Sequence, residues 1–248
     1  MEPGCVIVTG ASRGIGAAIA VELARAGIEV GCLSRTGRHP DAPGIDDALR
    51  ARMHAVVCDV VDRAQLVKAL RQVSDACGRR ITGIVNNAGV HTSAPSHELS
   101  AEDFRSSMDV NALSVLNGSQ AAYPWLLESG GGLIVNIGSF FDRLGVKNNL
   151  AYCASKAAVG AITRCLAVEW ASRGIQVLNV APGYVVTDLN REAIESGPLA
   201  DYLARRIPRG RPGEAAEIGR LVAGLFTMRS PFLTGETLYI DGAQGIAG

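Results

Sequence analysis

The sequence predicts a single α/β domain over residues 1–248, built on a doubly wound, seven-stranded parallel sheet. Three observations lead there. Short β-branched runs alternate with longer Ala/Leu-rich stretches along the chain, a pattern that implies right-handed crossovers between parallel strands. The strand runs are apolar almost throughout, as expected of a sheet covered on both faces. A glycine-rich turn stands directly after the first strand. An eight-stranded β/α barrel would share the alternation, but seven strand runs and the glycine-rich first turn favour the open sheet.

In chain order, "CVIVTG" (5–10) reads as the first strand and "GAAIAVELARAG" (16–27) as its helix. Strand "EVGCLS" (29–34), helix "IDDALRAR" (45–52) and strand "HAVVCD" (54–59) follow, then helix "RAQLVKALRQVSDAC" (63–77) and strand "ITGIVNNAG" (81–89). A helical stretch near 100–128 precedes strand "GLIVNIGS" (132–139) and a long helix over about 150–173. The last part gives strand "IQVLNVAPG" (175–183), a polar segment to about 212, helix "EAAEIGRLVAGLFTM" (214–228) and strand "ETLYID" (236–241).

Hydrophobic residues make up 48% of the 248 and charged residues 19%, enough apolar surface for a substantial core. The formal charge is zero, so the overall balance favours neither nucleic acid nor an anionic membrane. Six scattered cysteines lack Cys-x-x-Cys or Cys/His ligand spacing and read as reduced thiols, with no metal site. With no basic n-region, no long apolar h-region and no span-length apolar window, the expected location is the cytoplasm.

"TGASRGIG" (9–16) lies where the first strand hands over to its helix. Gly10, Gly14 and Gly16 permit a tight turn and let a pyrophosphate approach the helix N-terminus. The spacing is Gly-x-x-x-Gly-x-Gly rather than the Gly-x-Gly-x-x-Gly of longer dinucleotide-binding chains. In "AYCASKAAVGAIT" (151–163), Tyr152 and Lys156 are four residues apart and share one helix face. Cys153 beside them points elsewhere, has no activating His nearby in sequence and reads as a small packing residue.

With "TGASRGIG", "NNAG" (86–89), Asn111 in "MDVNALSV", Ser139 in "NIGS", "YCASK" (152–156) and "APG" (181–183) in order, the chain resembles the short-chain dehydrogenase/reductase family over essentially its whole length. The resemblance implies a single-domain Rossmann fold, a nicotinamide cofactor, a homotetramer and a catalytic tetrad of Asn111, Ser139, Tyr152 and Lys156. A hydride-reduced carbonyl needs a proton, and a free phenol is a poor donor at neutral pH. A neighbouring ammonium at Lys156 is expected to lower the Tyr152 pKa, while Ser139 polarises the carbonyl and Asn111 holds a water that links Lys156 to solvent.

For the cofactor, the resemblance implies contacts from Gly10, Ser12, Arg13, Gly14, Ile15 and Gly16. It also implies Asn87, Ala88 and Gly89 at the adenine ribose, Asp59 and Val60 at the adenine, and Lys156 at the nicotinamide ribose. Pro182, Gly183, Val185 and Thr187 complete the nicotinamide end, with Tyr152 alongside. The second strand ends at Ser34, not at the acidic residue of NAD-preferring relatives, and Arg35 follows. Arg13 and Arg35 together favour NADP, since guanidinium groups match a 2′-phosphate in charge and geometry.

Residues 184–214 read as a substrate lid. Leu189, Ile194, Leu199 and Tyr202, with Phe140, Phe141 and Leu144, either line an apolar pocket or pack the lid down. The basic run "RRIPRGR" (205–211) reads as solvated charge in preference to an anion site. The nearest pattern is that of 3-oxoacyl-acyl-carrier-protein reductases, which carry basic docking residues before the fifth strand. Here "LLESGGGLIV" places Glu128 there and only Arg173 remains, which argues against an acyl-carrier protein and leaves CoA thioesters and small ketones in competition. The expected function is NADPH-dependent ketone reduction, with Tyr152 as proton donor. Oxidative alcohol dehydrogenation and a catalytically silent cofactor-binding regulator are the alternatives.

Overall fold

The computed structural model describes residues 4–188, 190–196, 198–228 and 230–247. Six strands come first: β1 (Cys5–Thr9), β2 (Glu29–Ser34), β3 (Met53–Val57), β4 (Ile81–Asn86), β5 (Gly132–Ile137) and β6 (Ile175–Pro182). A two-residue pair, β7 (Val185–Val186) and β8 (Gly213–Glu214), precedes the last strand, β9 (Thr237–Ile240). The main sheet has seven strands in the order β3-β2-β1-β4-β5-β6-β9, every neighbouring pair parallel. The order reverses between β1 and β4, which opens a crevice beyond the carboxyl ends of those strands.

The helices are α1 (Gly14–Arg25), α2 (Asp47–Ala51), α3 (Arg63–Cys77), α4 (Ala101–Met108), α5 (Ser114–Glu128), α6 (Leu150–Trp170), α7 (Arg191–Glu195), α8 (Pro198–Arg206) and α9 (Ala215–Thr227). Alternate strand residues feed two separate cores. Val6 and Val8 join Ile19, Leu23 and Val222 on the α1/α9 face. Cys5 and Ile7 join Leu66, Leu70, Leu126 and Leu166 on the α3/α5/α6 face. Burial on both faces is why the strands read as unbroken apolar runs. Gly219 allows α9 to cross α1 closely, since a Cβ there would meet the Ala18 carbonyl oxygen at 2.7 Å.

Local chemistry sets the helix ends. Asp62 caps α3 by accepting from the Ala64 and Gln65 N–H groups, and Gly78, at φ 58°, ends it in the left-handed conformation. Ser100 caps α4, and Glu214 and Glu217 form a reciprocal capping box on α9.

A buried polar row ties α6 to the sheet centre. Asn86, Asn136 and Asn179 stand in register on β4, β5 and β6. Asn86 Nδ2 donates to Asn136 Oδ1 at 2.9 Å, and Asn136 Nδ2 donates to Thr163 Oγ1 of α6 at 2.9 Å. Unpaired amides in such a place would each cost about 1–3 kcal/mol, so the row fixes the placement of α6.

Several boundaries differ from expectation. The helix predicted near 100–128 is two helices joined by a π-helical turn, Asp109–Leu113. The strand predicted over 81–89 stops at Asn86, and the one predicted over 132–139 stops at Ile137. Asp59, expected to end the third strand, lies two residues beyond Val57. The polar segment read as a lid holds β7, α7 and α8. No helix among the described residues is long and apolar enough to cross a membrane.

Candidate active site

The crevice at the β1/β4 switch point begins with Thr9, whose Oγ1 accepts from the Asn87 and Ala88 N–H groups at 2.9 and 3.1 Å. Asn87 returns the tie by donating through Nδ2 to the carbonyl oxygens of Thr9 and Gly10. Its amide donor is therefore committed to the glycine turn. A Cβ on Gly10 would meet Ala88 Cα at 2.9 Å, and one on Gly16 would run into the Gly10 carbonyl. These two glycines let strand, turn and helix close on one another.

The α1 N-terminus beyond them has no side-chain cap, so its first N–H groups remain available to an anion. Gly14, at φ 60°, lies next to Thr187, whose Cγ2 is 3.5 Å from where a Cβ would stand. Ser12 and Ile15 are partly buried in the same turn, while Arg13 and Arg35 are exposed at α1 and just past β2. Val60 is buried, and Asp59 Oδ1 accepts from the Val61 N–H at 3.1 Å. Pro182 ends β6, Gly183 packs against Asp241, and Val185 is buried in β7. An uncapped helix N-terminus behind a turn with glycine at positions 10, 14 and 16 fits a dinucleotide pyrophosphate.

On the other side of the crevice, α6 presents Tyr152 and Lys156. Lys156 is buried, and its Nζ donates to the Ile137 carbonyl oxygen at 2.8 Å, 5.8 Å from the Tyr152 ring centroid. Burial lowers the Lys156 pKa to about 8. Ser139 follows β5, caps the Phe140–Arg143 turn by accepting from the Phe141 N–H, and lies against the Tyr152 hydroxyl. Asn111, Gly89 and Lys156 converge, since a Cβ on Gly89 would stand 3.1 Å from Asn111 Oδ1 and 3.7 Å from Lys156 Nζ.

One expectation needs correction here. The Tyr152 pKa is raised, because burial disfavours phenolate, and the Ser139 hydrogen bond only partly opposes this. The Asn111 carboxamide makes three hydrogen bonds: Oδ1 accepts from the Val90 N–H at 2.8 Å, and Nδ2 donates to the Val90 carbonyl oxygen and to Ser155 Oγ.

Aromatic rings form one wall. Phe141 meets the Tyr152 and Tyr184 rings edge-on at 6.0 and 5.9 Å, and Phe140 meets Tyr184 at 5.7 Å. Ile194 and Leu199 pack with Leu203, Ile207, Tyr184 and Val186, so of the two readings of the lid they follow the packing one. Tyr202 is exposed, Leu144 half-buried, and Leu189 lies outside the described residues. In the basic run, Arg211 is exposed and also pairs bidentately with Glu217, both bonds 2.9 Å.

The enoyl-(acyl carrier protein) reductase family model matches residues 10–243. The chain belongs to the short-chain dehydrogenase/reductase family. Among its relatives in that family, a tropinone reductase homolog of Arabidopsis thaliana is 35% identical over 98% of this chain and 92% of the relative. D-threitol dehydrogenase of Mycolicibacterium smegmatis is 35% identical over 97% of this chain and 92% of its own length. A gluconate 5-dehydrogenase from Burkholderia cenocepacia, solved with NADP and tartrate, superposes with a TM-score of 0.87 at 30% identity, covering 100% of this chain and 97% of that one. As a short-chain dehydrogenase/reductase the chain is an oxidoreductase of carbonyl/alcohol chemistry on a Rossmann fold that takes a nicotinamide cofactor.

Sequence reasoning missed three residues in this site. Thr9 and Ser155 orient its backbone and the Asn111 amide; both stand inside quoted motifs, "TGASRGIG" and "YCASK", but were given no role there. His91, two residues past "NNAG", packs its imidazole against the Tyr152 ring with centroids 4.8 Å apart.

Proposed function

We propose that this short-chain dehydrogenase/reductase reduces a small polar ketone to a secondary alcohol with NADPH. The observation that carries the proposal is the convergence of Ser139, Tyr152 and Lys156 on one wall of the switch-point crevice. Bound NADPH supplies the hydride. The Ser139 hydroxyl orients the carbonyl oxygen by donating to it, and the Tyr152 hydroxyl delivers the proton that the new alkoxide oxygen takes up. Tyr152 is protonated at neutral pH, so the proton is in place, and the Ser139 hydrogen bond, which acts to lower its pKa against burial, favours its release. Lys156 holds the proton that refills Tyr152, and water reaching the π-turn around Asn111 replenishes it.

Gly10, Ser12, Gly14, Ile15 and Gly16 would hold the pyrophosphate, with Asn87, Ala88 and Gly89 at the first ribose and Asp59 and Val60 at the adenine. Lys156 would reach the second ribose, and Pro182, Gly183, Val185 and Thr187 the nicotinamide. Arg13 and Arg35 support NADP over NAD, since two exposed guanidinium groups flank a second strand that ends in Ser34 instead of a carboxylate. The bound NADP of the gluconate 5-dehydrogenase supports the same choice. Relatives named for threitol, gluconate and tropinone support a compact substrate over a 3-oxoacyl thioester.

NADPH oxidation against hydroxy ketones, cyclic ketones, acetoacetyl-CoA and an acyl-carrier-protein thioester tests this. Turnover should be fastest with a compact ketone, and no oxidation with any of them would contradict the proposal. In Arg35→Asp, NADP use should fall about tenfold or more, with NAD preferred. Equal NADP use by that variant would remove Arg35 from the phosphate site.

A further inference from the structure

We infer that His91 is a specificity-determining residue whose imidazole Nδ1 accepts a hydrogen bond from a substrate hydroxyl on the carbon next to the reacting one. The inference rests on the carbonyl/alcohol reading above.

The imidazole is exposed at the crevice, yet held on three sides. Its backbone follows Val90, whose N–H and C=O are both bound by Asn111. Its ring sits against Tyr152, 4.8 Å between centroids and at 69°. Its Nε2 is hydrogen-bonded to Asn149 Oδ1. The Asn149 amide is itself oriented, because its Nδ2 donates to the Lys147 carbonyl oxygen at 2.8 Å. Asn149 therefore presents an acceptor, and Nε2 must be the donor. Ala94 N–H, donating to the Asn148 carbonyl oxygen at 2.9 Å, ties the His91 loop to the turn before α6, where Asn148 takes φ 62°.

With the Nε2–H tautomer fixed in this way, the neutral ring keeps a lone pair on Nδ1, which has no hydrogen-bond partner among the described residues. Tyr152 also has an aromatic neighbour, Phe141, which in turn packs edge-on against Tyr184. A substrate oxygen bonded to the Tyr152 hydroxyl leaves its two substituents facing unlike surfaces. A hydroxyl-bearing carbon suits the His91 side, and an apolar group suits the aromatic side. The chemical class this selects is the α-hydroxy ketone and, in reverse, the vicinal diol.

The test compares 3-hydroxybutan-2-one with butan-2-one, reduced by wild type, His91→Phe and His91→Asn, with NADPH and with NADH. One net hydrogen bond corresponds to about a tenfold preference in kcat/KM for the hydroxy ketone. In His91→Phe, which keeps a ring against Tyr152, the ratio should fall to about one through a higher KM for the hydroxy ketone alone. His91→Asn should recover part of it. In the NADP-loaded wild type, the imidazole Nδ1 resonance should move on addition of butane-2,3-diol and stay unmoved with butan-2-ol. A ratio that survives in His91→Phe, an equal fall for both ketones, or an unmoved Nδ1 resonance would overturn the role of His91 while leaving the carbonyl/alcohol reading intact. Failure of the wild type to reduce either ketone or any compound of the wider panel would overturn that reading and this inference with it.

Discussion

Lys156 keeps its ammonium where water is excluded, with the Ile137 carbonyl oxygen taking one of its protons and burial lowering its pKa to about 8. The unfolded chain holds that proton up to about 10.5, the ordinary lysine value. Between pH 8 and 10.5 the unfolded state binds more protons than the folded one, so this group adds stability as pH rises through that window. Below pH 8 the folded protein carries the full cost of a buried charge. Lys156→Met should therefore raise the stability of the cofactor-free protein at pH 7 by about 2 kcal/mol, offset in part by the unpaired carbonyl, and flatten the alkaline rise. Urea unfolding across pH 7–11 measures both, and a destabilised variant with the rise intact would contradict the assignment. Tyr152 and Lys156 were legible because a helix fixes what spacing four means. His91 was not legible, since only the folded loop brings position 91 against position 152.

At the scale of elements, α9 depends on Glu217. Its carboxylate accepts from the Glu214 N–H at 2.9 Å and from both terminal nitrogens of Arg211, and these bonds hold its pKa down to about 2. A depressed carboxylate stabilises fully above its unfolded pKa near 4.5 and loses that contribution as pH falls through about 2. Glu217→Gln keeps an acceptor for the cap but loses the charged pair, at a cost of about 1 kcal/mol at pH 7. Thermal unfolding should show the two proteins converging between pH 4.5 and 2, and a constant gap down to pH 2 would assign the loss to packing. The strands were legible from apolar runs, because burial on both faces leaves no polar alternation. The break at Asp109–Leu113 was not, since it depends on Asn111 reaching the backbone of Val90 in another element. A lid over 184–214 was expected, but the bounds of its helices were not legible, because α7 and α8 are short and bury few apolar side chains, Ile194 and Leu203 among them.

Across the whole molecule, topology gathers the site. The glycine turn, the "NNAG" segment, Ser139 and the α6 face are far apart in sequence and meet because β1, β4 and β5 end on the same side of the sheet. The order of motifs was enough to anticipate that meeting, since parallel strands all carry their helix-leading turns at one edge. It was not enough to anticipate the raised Tyr152 pKa, which depends on how deeply the assembled walls desolvate the hydroxyl. The central claim is that Tyr152 supplies a proton and does not hold the cofactor's reacting end in place. NADPH affinity and NADPH oxidation, measured side by side for wild type and Tyr152→Phe on a ketone the wild type reduces, test this most directly. The account predicts NADPH affinity within about threefold of wild type and turnover reduced at least about a hundredfold, the usual worth of a general acid. Substantial residual turnover in Tyr152→Phe, or loss of turnover explained entirely by lost NADPH binding, would contradict it.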